Sequence, residues 1–197
     1  MRYISGCFIL FIGVLCISSC GKKNNTSKAQ DEFLADSLRA YINQLNDSIE
    51  YAWQVMIEDD DEKISTMKRL LDEVSYTNSY NKETFDSLTA GLEKLRSTRY
   101  DINSMIDSKK IDEYDLSANE LSNAVIQFAH DHPKFEEYGQ MEEFIQEIID
   151  ANDRVFHMRN KYDDAASAYN QFIKENRKIL SRFNIEASEK PLFALPF

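Results

Sequence analysis

Between Tyr138 and Phe183 the chain repeats itself every seven residues. One row reads Tyr138, Ile145, Asn152, Arg159, Ala166, Ile173 and Leu180, and a second reads Met141, Ile148, Val155, Tyr162, Tyr169, Asn176 and Phe183. Phe144, Ala151, Met158, Ala165, Phe172 and Ile179 widen the stripe on one flank. Apolar recurrence at steps of three and four, with Gly139 the only Gly or Pro in the run, predicts one amphipathic helix from about His132-Pro133 to Phe183. At 1.5 Å per residue such a helix reaches about 75 Å. A helix that long and that striped needs other helices to cover it.

The remaining sequence supplies them. A first helix is expected over Asp31–Ser75, with the stripe Leu34, Leu38, Tyr41, Leu45, Ile49, Ala52, Met56, Ile64, Met67, Leu71 and Val74, and with Trp53 in the core. Tyr76 to Asn81 reads as a turn, rich in the Asn and Ser that favour caps. A second helix follows through Phe85, Leu88, Leu92, Leu95, Arg99, Ile102 and Ile106, with Gly91 off its stripe and Arg99 on the seam as a paired or snorkelling cation. Lys109–Asp115 is the expected connection. Ser117 and Glu120, stapled by Leu116 and Leu121, form a capping box that starts a third helix, which ends before Pro133. With 5 Gly and 3 Pro in 197 residues, the turn-dense patterning of an all-β domain is missing. The length suits one domain with a substantial core.

The amino terminus reads as an address. Arg2 precedes an apolar run from Ile4 to Leu15, and Ile17-Ser18-Ser19-Cys20 resembles the lipobox of bacterial lipoproteins. Residues 1–19 are therefore expected to be a signal peptide and Cys20 the acylated first residue. Residues 20–30 form a flexible polar tether, and 31–197 the helical domain, with a non-helical tail in which Leu192 and Phe193 dock. Several acyl chains hold a protein at a membrane far more firmly than one. The alternative, a retained membrane helix, is opposed by an apolar run shorter than the roughly twenty residues a bilayer prefers. Gly21, in place of an Asp that retains a lipoprotein at the inner membrane, leans the expectation towards the outer membrane, facing periplasm or exterior. Cys7 and Cys16 leave with the signal, so thiol chemistry is excluded for the exported body. That body carries 22 basic against 34 acidic residues, a net charge of −12, which repels phosphate backbones and excludes nucleic acid as a partner.

The segment from His132 to Ile173 resembles the carboxyl half of the LemA family. That family has a Tyr-Pro-x-Leu entry, an arginine-bearing helix and two Tyr-Asn pairs seven residues apart. His132-Pro133-Lys134-Phe135 matches the entry, Arg154 and Arg159 match the arginines, and Tyr169-Asn170 matches the second pair. Tyr162-Asp163 departs from the first pair, and the family's Phe-Pro after the helix is absent from Asn176-Arg177-Lys178. Tyr41-Ile42-Asn43-Gln44-Leu45 and Ala52-Trp53-Gln54-Val55 are similar to its first helix. The resemblance covers about residues 38–193. It implies a membrane-anchored, all-α, antiparallel up-and-down four-helix bundle with long first and last helices, and supplies no catalytic residues.

Three clusters invite a chemical reading. Glu58-Asp59-Asp60-Asp61-Glu62 is read as a solvated face or kink rather than a cation site, because five successive helical residues do not converge on one ion. His130, His132 and His157 lack the Glu-x-x-His spacing of di-iron bundles. Asn152, Arg159, Tyr162 and Tyr169, polar groups on the seam of the last helix, read either as an internal network fixing register or as a recognition groove. Trp53, Asn152, Arg154, Arg159, Tyr162, Tyr169 and Asn170 are thus the structural or interface residues to watch, with no cofactor and no metal expected. The function expected is a lipid-anchored, non-enzymatic interaction or scaffold module meeting an unidentified envelope protein. The alternatives are a metal-binding protein or enzyme using His130, His132 and nearby carboxylates, and a homo-oligomer.

Overall fold

The computed structural model describes residues 23–76 and 79–193, and among these it contains helices and no strand. The helices are α1 (Lys23–Ser75), α2 (Lys82–Thr98), α3 (Ser108–His130), α4 (Gly139–Glu175) and α5 (Arg177–Arg182). None of them is long and apolar enough to cross a membrane. The apolar run 4–15, Cys20 and the last four residues lie outside the described residues.

α1 and α4 pair antiparallel over most of their lengths. Thr66 meets Glu147, Asp59 meets Arg154, Tyr41 meets Phe172 and Asp31 meets Arg182. Each step back along α1 is matched by an equal step forward along the partner, so one register holds from end to end. The heptad step explains this, because a 3.5-residue repeat keeps a narrow stripe turned towards one neighbour. Both rows of α4 face inward: Met141, Ile145, Ile148, Tyr162, Ala166, Tyr169 and Ile173 are all buried. On α1 the buried row is Ala35, Ile42, Ile49 and Met56, while Leu34 and Tyr41 stand exposed on its flank.

α2 and α3 enclose only the second half of α1. α2 runs back against it until Arg96 and Arg99 reach Asp61. α3 then reverses beside α2, and Ser122 bonds the Met67 sulfur. Met67, Leu70, Leu71 and Val74 lose almost all contact with water there, at about 1.5–3 kcal/mol per side chain. A Cβ on Gly91 would come within 3.0 Å of Leu121 Cδ1. This glycine, off the apolar stripe, sets how closely α2 approaches α3.

Several boundaries differ from those the sequence predicts. α1 is already helical at Lys23, the first described residue, so the segment expected as a tether is helical from there to Gln30. No Gly or Pro lies between Gly21 and Gly91, and extending an existing helix costs far less than nucleating one. α2 stops at Thr98 rather than running to Ile106. Asp101 Oδ1 accepts from the backbone N–H groups of Asn103 and Ser104, a local bonding pattern that competes with helix. α3 begins at Ser108, where Asp107 Oδ1 accepts from Lys109 N, and not at Ser117. The supposed capping box is mid-helix: Ser117 Oγ donates to Glu113 O and Leu116 is exposed. The Asn81 cap on α2 is present, accepting from Thr84 N at 3.0 Å.

The long last helix is also interrupted. A 3-10 turn at Phe135–Glu137 precedes it. Asn176 breaks it by folding its Nδ2 back onto Phe172 O. α5 ends at Arg182, and two residues on, Asn184, with a φ of 51°, turns the chain through the left-handed region and lets Ile185 N bond Leu180 O. From there the tail runs back along α4.

Candidate functional site

The polar residues of α4 do two jobs on two sides of the helix. Tyr162 and Tyr169 are buried in the seam, and the residue after each turns towards the tail. Asn170 Nδ2 donates to Lys190 O and its Oδ1 accepts from Lys190 N. Asp163 Oδ1 accepts from Phe193 N at 2.9 Å, and Tyr162 Oη donates to Pro191 O at 3.2 Å. Four hydrogen bonds fix the tail backbone between Lys190 and Phe193.

They drive Phe193 into an aromatic cluster. Its ring lies 5.5 Å from Tyr162, 6.1 Å from Tyr100 and 6.4 Å from Trp53, with the Arg159 guanidinium 5.0 Å from its centroid. Trp53 in turn packs edge-on against Tyr162 and Tyr100. Edge-to-face pairs of this kind add about 0.5–1.5 kcal/mol beyond the area they bury. Phe193 docks as the sequence predicts. Leu192 does not, and points to solvent.

Beside this cluster, where α2 ends and all four long elements meet, a cavity of about 140 Å³ opens between α1, α3 and α4. Its walls carry charge. Arg159 makes a bidentate pair with Asp115 at 2.7 and 2.8 Å and also donates to Tyr100 Oη at 2.9 Å. Arg99, turned inward because α2 has stopped, lies 2.9 Å from Asp60 and 2.5 Å from Asp61. Lys63, 4% exposed, has its Nζ 3.3 Å from Asp60. Tyr114 donates to the same Asp60. Arg154 closes the outer edge on Asp59.

Electrostatics follow from this crowding. Burial opposes the charged form of Arg99, but the bond to Asp61 and the charge of Asp60 outweigh it, and its pKa rises. Arg159 behaves alike: burial opposes its charge, and the Asp115 bond and Tyr100 overcome it. Burial, reinforced by Asp60, pushes the Tyr114 phenol well above its ordinary value. The Arg99 bond draws Asp61 down. Three polar atoms of the cluster are buried without an aligned hydrogen bond: Asn152 Oδ1, Arg159 Nε and Arg99 Nε. The last is near Asp60 by distance, but its N–H does not point there.

Of the residues singled out from sequence, Trp53, Arg159 and Tyr162 meet in the aromatic cluster, and Asn152 and Arg159 line the cavity. Tyr169 and Asn170 hold the tail one heptad further on, where Lys190 Nζ sits 5.4 Å from the Tyr169 ring. Arg154 pairs outward, and Cys20 lies outside the described residues. His132 is buried, its Nδ1 accepting from Lys134 N. His130 packs on Phe135, and His157 is exposed. Among the described residues no three His, Cys, Asp or Glu converge as metal ligands.

The acidic run corrects the expectation of a solvated face. Asp59, Asp60 and Asp61 all pair with arginines from other helices. Lys63, Tyr100 and Tyr114 were missed altogether, while Asp60 is read only as part of the solvated run, Asp115 only as the end of a connection and Asp163 only as a departure from a Tyr-Asn pair. One signal was available: Lys63 continues the row Ile42, Ile49, Met56 and ends against Leu70, and a lysine on such a row needs a carboxylate.

Fold and site together define an all-helical protein whose two long helices, with a shorter pair beside them, enclose a charged cavity next to a tail-bound aromatic cluster. No family model, no curated protein and no solved structure matches this chain.

Proposed function

We propose that this protein is a lipid-anchored, non-enzymatic scaffold or interaction module of the cell envelope, related in architecture to the LemA family and built as an up-and-down four-helix bundle. One observation carries the reading: Arg159, Tyr162 and Asn170 of α4 are engaged within the chain, on its own tail, on Asp115 and on Tyr100. Such a network fixes register and rigidity, which a scaffold needs. The alternating directions of α1 to α4 support the bundle, and the match of Tyr169-Asn170 and the two arginines supports the relationship. Phe33 and Tyr51 stand exposed on α1, where aromatic groups suit a protein partner. The lipid anchor rests on Ser19-Cys20.

The test is crosslinking and recovery from membranes, with Cys20→Ser as the comparison. The anchored chain is expected in the membrane fraction with a partner that the Cys20→Ser chain fails to recover. An unanchored wild-type chain, or one with no anchor-dependent partner, would overturn the proposal.

A further inference from the structure

The charged cavity has a bonding pattern that its own residues do not complete. Its carboxylates are taken: Asp115 accepts twice from Arg159, Asp59 is held by Arg154, and Asp60 accepts from Tyr114 with the charges of Lys63 and Arg99 beside it. Its cations are not. Lys63 has three donor directions and one anionic neighbour. Arg159 keeps Nε–H unbonded after its bidentate pair, and Arg99 keeps a misaligned Nε–H. One acceptor, Asn152 Oδ1, is also left without a donor.

The surplus on the walls is therefore cationic donors plus a single acceptor. The lining charges balance, Lys63, Arg99 and Arg159 against Asp59, Asp60 and Asp115, so the surplus is of unbonded N–H groups and not of net charge. Met56, Ile57, Ala151, Val155 and Met158 give the same cavity an apolar side. Asn119, exposed on α3, stands at its rim. A volume of about 140 Å³ is well beyond what one water needs, and admits a molecule of about six to eight non-hydrogen atoms.

We infer that this cavity binds a small carboxylate carrying a hydrogen-bond donor on the neighbouring carbon, an α-hydroxy or α-amino acid with a short apolar side chain. The carboxylate receives the spare donors of Arg159, Arg99 and Lys63. The α-hydroxyl or ammonium donates to Asn152 Oδ1, and the side chain faces Val155 and Met158. A plain carboxylate leaves Asn152 unsatisfied, and an amine without a carboxylate leaves the spare N–H groups of Arg159 and Arg99 unbonded. The site is independent of the anchor and of any protein partner, so it stands or falls apart from the scaffold reading.

Calorimetric titration of the purified full chain in detergent tests it, with glycolate, L-lactate, glycine and L-alanine as probes and acetate and methylamine as their halves. Saturable one-to-one binding is expected for at least one bifunctional acid. Acetate is expected about tenfold weaker, the value of one lost hydrogen bond, and methylamine silent. Asn152→Leu removes the acceptor at constant size, and is expected to weaken the bifunctional acid about tenfold while leaving acetate unchanged. Val155→Phe, which narrows the cavity and disturbs no hydrogen bond, is expected to abolish binding of both, and decides the matter alone if Asn152→Leu does not fold. No saturable binding by any of the four acids overturns the inference, as does unaltered binding in a folded variant. The cavity then holds water only.

Discussion

Tyr162 and Tyr169 stand one heptad apart on α4, both buried, and the residue after each bonds the backbone of the returning tail. The pairing divides labour between neighbours: the ring fills the seam with α1, and the Asx side chain, about 100° further round the helix, reaches outward to the tail. A strap of irregular backbone is thereby satisfied by side chains where no helix or sheet is available to do it.

The strap is expected to depend most on Asn170. Replacing Asn170 with Ala removes both bonds to Lys190 and should cost about 1–3 kcal/mol. Because Phe193 stacks on Trp53, release of the tail should also change the fluorescence of the single tryptophan. Limited proteolysis should cut the variant between residues 184 and 193 before the helices. An Asn170→Ala chain with wild-type stability and an unchanged Trp53 spectrum would show that the strap is held by Phe193 alone.

Tyr162 separates packing from bonding. Tyr162→Phe loses only the hydroxyl bond to Pro191, at about 1 kcal/mol. Tyr162→Ala opens a void against Trp53 and Phe193 and should cost about 3–5 kcal/mol. Chemical denaturation of the two variants checks the ratio, and near-equal losses would contradict it.

Arg159 and Asp115 are expected to be worth more as a pair than either is alone. Asp115→Ala strands a cation whose side chain is only 12% exposed and should cost about 3–5 kcal/mol. Arg159→Met combined with Asp115→Leu should recover most of that loss, since a well-packed apolar pair of similar volume is often neutral. A double-mutant cycle measures the coupling, and strict additivity would argue against the pair.

Alkali should unfold the protein from the aromatic cluster. Burial raises the phenols of Tyr100 and Tyr162, the second to about 12 with help from Asp163. A phenol protonated more tightly in the folded chain than in the unfolded one stabilises fully below the unfolded value near 10. That contribution is lost as pH climbs from about 10 towards 12. Asp61 works at the other end: its lowered value stabilises above 3.8 and is lost as pH falls further. Circular dichroism against pH, with tyrosinate absorbance followed in parallel, should show helix loss accompanying phenol ionisation. Full phenol ionisation at pH 10 with the helices intact would refute this.

Period and composition determined the helices of this protein and most of the face each one buries. The α4 rows chosen by counting sevens are the buried rows, because a helix must repeat its contacts wherever its partner runs straight beside it. Local bonding blurred the ends: Asp101, Asp107 and Asn176 each offered the backbone a partner that an apolar stripe does not register. The tertiary structure alone decided the charged cavity. Asp60 lies between Arg99, Lys63 and Tyr114, which come from the end of one helix, the next turn of its own and the second turn of a third. Distance along the chain says nothing of that meeting, and the acids around Asp60 look solvated until α2 stops short and turns its last arginine inward. A stripe is a property of one helix, whereas a site belongs to the gap between several.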